Sequence, residues 1–189
     1  MDVHLHAQWN TLKAYAKEDL MAVVEKFLGT RVNIPDDLRY FAKQGLWAKS
    51  NEGFIVFGLT EPALVLAGGI NDLEWLVSNG QPVSKGDTVI FCITGKIQYI
   101  DAPLAGHIHF NQNSKLSVSL IANDPYGQGW MFKIKPEEPV EHELRKFSTA
   151  EDYIQSLKST EGFKNPDGLK GGISEICKAV YSGIREQKL

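Results

Sequence analysis

Apolar residues along this chain recur at two different periods, and the change between them divides it. Near the start, Leu12, Ala16, Leu20, Val23, Val24 and Phe27 fall at helical spacing, with Gly29 offering a stop. That spacing predicts an N-terminal helical extension over residues 1–33. From Ile34 the texture changes. "FIVFGL", "GDTVIFCIT", "IQYIDAPLAGHIHF" and "GWMFKIK" are short apolar runs cut by Asn, Gly and Pro. Short strands at close spacing with glycine punctuation predict a β sandwich or barrel. After Pro136 the helical period returns. Ser148 with Glu151 three residues later predicts a capping box opening a helix in "FSTAEDYIQSLKS", each side chain satisfying the other residue's free N–H. "TEGFKNPDGLKGG" reads as a polar linker. Ile173, Ile176, Cys177, Val180 and Ile184 then align on one face of a C-terminal helix, so linker and helix take residues 160–189.

Composition narrows the classes. With 189 residues, 43% hydrophobic and 23% charged, the chain has the make-up of an ordinary globular protein. Its net charge is −3 and no basic block stands out, so nucleic acid is not an expected partner. No apolar run reaches bilayer length, and no membrane is expected. The start is acidic and lacks a continuous apolar segment, which speaks against a secretory signal. Cys92 and Cys177 form no C-x-x-C pair and read as reduced, buried thiols, so a cytoplasmic address is expected.

The candidate chemistry sits in "ITGKIQYIDAPLAG". Gly95-Lys96 lies between the runs Thr88–Thr94 and Ile97–Ala102, and Gly first in a two-residue loop predicts a type II′ turn. Pairing Thr94 with Ile97 sets Val89 opposite Ala102, Phe91 opposite Ile100 and Ile93 opposite Gln98, a mostly apolar face. Lys96 is then left at the tip. An acyl-attaching enzyme needs such a lysine, and an ordinary soluble hairpin shows one too.

The surroundings bear on that choice. From Ile34 to about Ser159 the chain resembles the H protein of the glycine cleavage system. "IPDDLRYFAKQGLWAK", "VFGLTEPAL", "VSKGD", "DAPLAG" and "NDPYGQGWMFKIKP" follow the family's blocks in order. The resemblance implies a mainly β fold with flanking helices, a lipoyl/biotinyl-type barrel-sandwich hybrid over residues 34–159. It implies a non-catalytic lipoyl carrier with lipoate in amide linkage on Lys96. In the family the arm takes an aminomethyl group from a pyridoxal-phosphate glycine decarboxylase and offers it to a tetrahydrofolate-dependent aminomethyltransferase. A dihydrolipoamide dehydrogenase then reoxidises it, and a lipoate ligase is a further expected partner. The carrier's contribution is a tethered, locally concentrated substrate. The tip departs from the family pattern E-S-V-K-A, reading Ile93-Thr94-Gly95-Lys96-Ile97. The hairpin is one residue shorter than the family's, the acid three before the lysine has become Ile93, and Asp101 is the nearest match to an Asp of the second strand. A second reading from another class stays open: an unlipoylated relative that keeps the barrel as a protein-binding or scaffold module.

Other constellations have plainer readings. His4/His6 and His107/His109 are His-x-His pairs without a carboxylate or cysteine partner at ligand spacing, and a solvated strand face explains the second pair. His142 lies in an acidic, exposed run. Pro125-Tyr126-Gly127 after Asp124 predicts a turn, and Trp130 a core anchor.

Overall fold

The computed structural model describes residues 21–95 and 97–169. It opens with a two-stranded hairpin, β1 (Met21–Phe27) and β2 (Thr30–Pro35). Three strands follow, β3 (Arg39–Phe41), β4 (Leu46–Asn51) and β5 (Phe54–Leu59), and then helix α1 (Glu61–Ala67). Next come β6 (Asp72–Trp75), β7 (Pro82–Val83), β8 (Thr88–Ile93), β9 (Ile97–Asp101) and β10 (Gly106–Phe110). Two short helices, α2 (Gln112–Leu116) and α3 (Ser119–Asn123), precede β11 (Phe132–Pro136). Helices α4 (Val140–Leu144), α5 (Ala150–Leu157) and α6 (Glu161–Lys164) complete the described chain.

Six strands pair in the order β3-β4-β5-β11-β10-β7, and β6-β8-β9 form a second sheet. Between them lies one apolar core to which both sheets contribute. Leu46, Ile55, Phe57, Ile108, Phe132 and Ile134 come from the first sheet, Ile90 and Ile100 from the second, and all are fully buried. Each such side chain contributes roughly 1.5–3 kcal/mol relative to exposure. This is the expected sandwich with flanking helices. A second cluster covers the outside of β3–β5, where β1, β2 and α5 bring in Phe27, Val32, Ile34 and Tyr153 around Tyr40 and Trp47. The tyrosine rings of 40 and 153 stack at 4.7 Å, and the Tyr40 hydroxyl donates to the Pro35 carbonyl.

Three expectations change. Residues 21–27 form a strand, where a helical extension over 1–33 was expected. Leu28 and Gly29 take left-handed φ of 53° and 77°, and the chain folds back to pair Met21 with Pro35 and Phe27 with Thr30. Strand partners override an ambiguous apolar spacing once Val32 and Ile34 supply a buried face. The expected linker is structured as far as Leu169. Gly162 lies beneath the Phe27 ring, where an added Cβ would sit 2.0 Å from the nearest ring carbon. The Gly29 N–H donates to the Pro166 carbonyl at 2.7 Å, and Lys26 pairs with Asp167 at 2.8 Å. The cap of α5 is Thr149, one residue after the expected Ser148. Its hydroxyl accepts from the Asp152 N–H, as an extended backbone at the N-cap allows. Ser148 instead exchanges backbone hydrogen bonds with Tyr40. The positions Leu12–Leu20 of the expected helix, and the C-terminal stripe from Ile173 to Ile184 with Cys177, lie outside the described residues.

Candidate functional site

The hairpin β8–β9 follows a register one residue away from the expected one. Ile93 pairs with Ile97, Cys92 with Gln98, Phe91 with Tyr99 and Ile90 with Ile100. The connection is therefore the three residues Thr94, Gly95 and Lys96, and the Gly95-Lys96 two-residue turn is not formed. The register shifts between Thr88 and Ile90, and Val89 and Ile90 are both fully buried. That irregularity splits the single face expected from Val89, Phe91 and Ile93. At the other end Thr94 is buried, only 6% exposed, and Ile97 takes Ile93 as its strand partner in its place. Lys96 itself lies outside the described residues.

What holds the tip is α1, and "TEPALVLAGG" is built to end there. Thr60 caps the helix by accepting from the Ala63 N–H, and Pro62 sits in the first turn. At the other end Gly68 and Gly69, with φ of 75° and 89°, donate to Val65 and Leu64 carbonyls. This is the paired C-terminal closure that favours glycine. The Ala67 carbonyl, left over at the helix end, accepts the Gly95 N–H at 2.9 Å. A Cβ on Gly95 would approach that carbonyl oxygen to 3.0 Å, so glycine is the residue that lets the loop sit so close. The N-terminal end of α1 is anchored in turn. Thr60 and Tyr153 share a hydrogen bond of 2.7 Å, and the Tyr126 hydroxyl donates to the Asn33 carbonyl at 2.6 Å while accepting from the Glu61 N–H at 3.1 Å. The Glu61 carboxylate accepts from the backbone and side-chain N–H groups of Asn33. Lys96 therefore follows a residue tied through one short helix to the aromatic cluster behind it.

Around the tip the surface is apolar. Ile93, Ile97 and Tyr99 are 41%, 64% and 58% exposed, and the Phe91 and Tyr99 rings lie 5.6 Å apart on the same face. A cleft of about 580 Å³ opens beside the hairpin, lined by Gln44, Ala63, Leu66, Ile97, Gln98 and Leu157 among others. Its size falls in the range of small-molecule sites, roughly 300–1,000 Å³, and it begins at the residue following Lys96. An aliphatic arm attached there would find apolar walls within its tether, so the residues present fit a lipoyl group.

The remaining candidates settle into structural roles. Asp101 closes the base of the hairpin, accepting from Thr88 Oγ1 at 2.9 Å and exchanging hydrogen bonds with the Gln44 side chain. Cys92 is buried and burial pushes its thiol up to about 12, so it stays protonated and unreactive at neutral pH. His107 and His109 share the outer face of β10, with His109 edge-on to Phe54 at 5.5 Å. Among the described residues no His, Cys, Asp or Glu cluster is arranged to hold a metal ion, and His4 and His6 lie outside them. His142 is exposed on α4. Asp124 accepts the Gln128 N–H across the expected turn. Trp130 packs partly buried against the aromatic cluster, and its carbonyl accepts from Asn111 and Ser114. Among the described residues no helix is long and apolar enough to cross a membrane.

The sequence reading missed the role of Gly95, α1 and β6. "DLEW" alternates polar and apolar positions at period two, a signal that could have identified β6 as a strand with Asp72 and Glu74 on one face.

Comparison with known proteins agrees with this geometry. The family model described as glycine cleavage H-protein matches residues 38–160. A probable glycine cleavage system H protein from Aeropyrum pernix is 38% identical, over 69% of this chain and 90% of its own length. One of the glycine cleavage system H proteins of Aquifex aeolicus, numbered 2, is 35% identical over 66% of this chain and 78% of its own. Among solved structures, a glycine cleavage system H protein from Mycobacterium marinum superposes with a TM-score of 0.54 at 27% identity, covering 65% of this chain and 97% of that one. The chain belongs to the glycine cleavage H-protein family, a family of lipoyl carriers that are not themselves catalysts.

Proposed function

We propose that this protein is a lipoyl carrier with lipoate attached to Lys96 Nζ, relaying an aminomethyl group between the enzymes of a glycine-cleaving system. The observation that carries this reading is the hairpin loop: Lys96 follows Gly95, whose N–H is fixed to the Ala67 carbonyl, and precedes the widely exposed Ile97. When attached, lipoate supplies a dithiolane that accepts a carbon unit together with two electrons. The chain's own residues do three things. Gly95 and α1 hold the attachment point, which limits the volume the tether searches and raises the local concentration of its end. Ala63, Leu66 and Leu157 offer an apolar wall that shields an arm lying in the cleft from water. Ile93, Ile97 and Tyr99 leave apolar area in water for docking enzymes to cover.

The partners on this reading are a pyridoxal-phosphate glycine decarboxylase, an aminomethyltransferase, a dihydrolipoamide dehydrogenase and a lipoate ligase, in the cytoplasm. The carrier domain corresponds to residues 34–159, flanked by extensions. The second reading, an unlipoylated binding module, is favoured by the same apolar patch and by Ile93 standing where the family has an acid. The two separate in one assay. Incubation with lipoate, ATP and a lipoate ligase gives a single added lipoyl mass on the wild type and none on Lys96→Arg. Absence of the added mass from both proteins, with the fold intact, leaves the binding module.

A further inference from the structure

The outer face of the β6-β8-β9 sheet mixes apolar and acidic residues in a defined order. On β6 the side chains alternate, with Leu73 buried and Asp72 and Glu74 exposed. Asp72 pairs with Ile93 and Glu74 with Phe91, and the same two β8 residues pair onward with Ile97 and Tyr99. Across the sheet the rows therefore read Asp72-Ile93-Ile97 and Glu74-Phe91-Tyr99, all on the side away from the core. Residues paired on adjacent strands lie about 5 Å apart, so the Asp72 carboxylate stands one strand spacing from Ile93, three residues before Lys96. Among the described residues of this outer face, Asp72 and Glu74 are the exposed acids, both on the strand bordering the apolar rows, whereas the third acid, Asp101 on β9, is half-buried and already held by Thr88 and Gln44 at the base of the hairpin.

We propose that this face is the recognition surface for the enzyme that acylates Lys96, with Asp72 its specificity-determining charge. The inference rests on the reading of Lys96 as a lipoyl site. An enzyme that brings the Lys96 amine to an activated acyl group must cover the strands on either side of the loop. It therefore meets Ile93, Ile97 and Tyr99 at the centre and the Asp72/Glu74 edge beside them. The complementary partner presents an apolar centre with basic residues at one margin. Apolar contact supplies most of the affinity, and the acid–base margin sets on-rate and orientation. Asp72 Oδ1 accepts the Leu73 N–H at 2.8 Å, which orients the carboxylate at the edge strand. An asparagine keeps an acceptor there, so Asp72→Asn removes the charge and keeps that hydrogen bond.

The test measures the initial rate of Lys96 acylation by a lipoate ligase with ATP and lipoate, against carrier concentration and salt. Asp72→Asn raises KM for the carrier about fivefold with kcat unchanged, as expected for a rim charge, and flattens the salt dependence. Glu138→Gln, an exposed acid far along the chain, leaves both unchanged. Moving the charge across one strand in Asp72→Asn/Ile93→Glu restores the rate, an outcome that a merely structural role for Asp72 would not give. Acylation of Asp72→Asn at the wild-type rate and salt slope overturns the inference while leaving the Lys96 reading in place. Failure of the wild type to be acylated removes the Lys96 reading and this inference with it. A concentration-dependent dimer abolished by Tyr99→Ser, with acylation indifferent to Asp72, assigns the face to a second copy of the chain and also overturns it.

Discussion

The two ends of α1 are made differently. At its N-terminal end, Thr60 meets Tyr153, and Glu61 meets Asn33 and Tyr126. Rings and polar atoms are packed together there, and each of those contacts fixes one strand or helix against another. At its C-terminal end the Ala67 carbonyl holds Gly95, and beyond that bond Ile93, Ile97 and Tyr99 face water. The first end is accounted for by stability. The second is not, since an exposed apolar row adds nothing to the fold and invites association. Apolar area that folding leaves uncovered, beside a loop tied at Gly95, is what the proposed carrier needs its docking enzymes to cover.

Substitutions should separate the ends in the same order. Tyr153→Ala opens a hole under Tyr40 and leaves Thr60 without its ring partner. A loss of about 3–5 kcal/mol is expected for a large buried aromatic, read as a lowered urea midpoint with an unchanged slope. Alkaline titration attacks the same end. Burial is the first cause raising Tyr40, Tyr126 and Tyr153 above their ordinary 10.0, and Tyr153 is pushed up to about 12, opposed only by its hydrogen bond to Thr60. In the unfolded chain these hydroxyls ionise near pH 10, whereas the folded protein keeps them neutral. Their contribution is therefore fully present below pH 10 and declines as the pH rises towards 12, by about 1.4 kcal/mol per unit for each tyrosine. Stability that stays flat from pH 10 to 12 would mean the rings are not buried as described.

Tyr126→Phe removes one hydroxyl that serves both the Asn33 carbonyl and the Glu61 N–H. Leaving such groups without a partner costs about 1–3 kcal/mol, visible as a lower thermal midpoint. The smallest stability effect belongs to the other end. Tyr99→Ser should change stability by less than about 0.5 kcal/mol, yet slow ligase-catalysed acylation of Lys96. A large stability loss there would erase the contrast between the ends.

What could be read from residue order follows the same division. The strands of the sandwich were readable because "FIVFGL", "TVIFCI" and "FKIK" are short, apolar and bounded by turn residues. The β4–β5 turn illustrates how local that information is, since Glu52 and Gly53 both take positive φ in a two-residue connection. The hairpin register was not readable, because it depends on the irregularity after Thr88 and on Gly95 reaching the end of α1, which lies 28 residues earlier in the chain. Met21–Phe27 was misread for a related reason. Its apolar spacing suits either a helix or a half-buried strand, and the choice is made by Thr30–Pro35 and by Gly162 beneath Phe27. Lys96 was singled out from its turn and its family blocks. The acids at Asp72 and Glu74 were not, because only strand pairing brings them beside Ile93 and Phe91.

The most direct measurement is the intact mass of the protein purified from the cells that make it, followed by peptide mapping of the segment holding Lys96. The carrier reading predicts one lipoyl amide per chain, on Lys96 and nowhere else. A chain found wholly unmodified in cells whose other lipoyl proteins are fully loaded would contradict it.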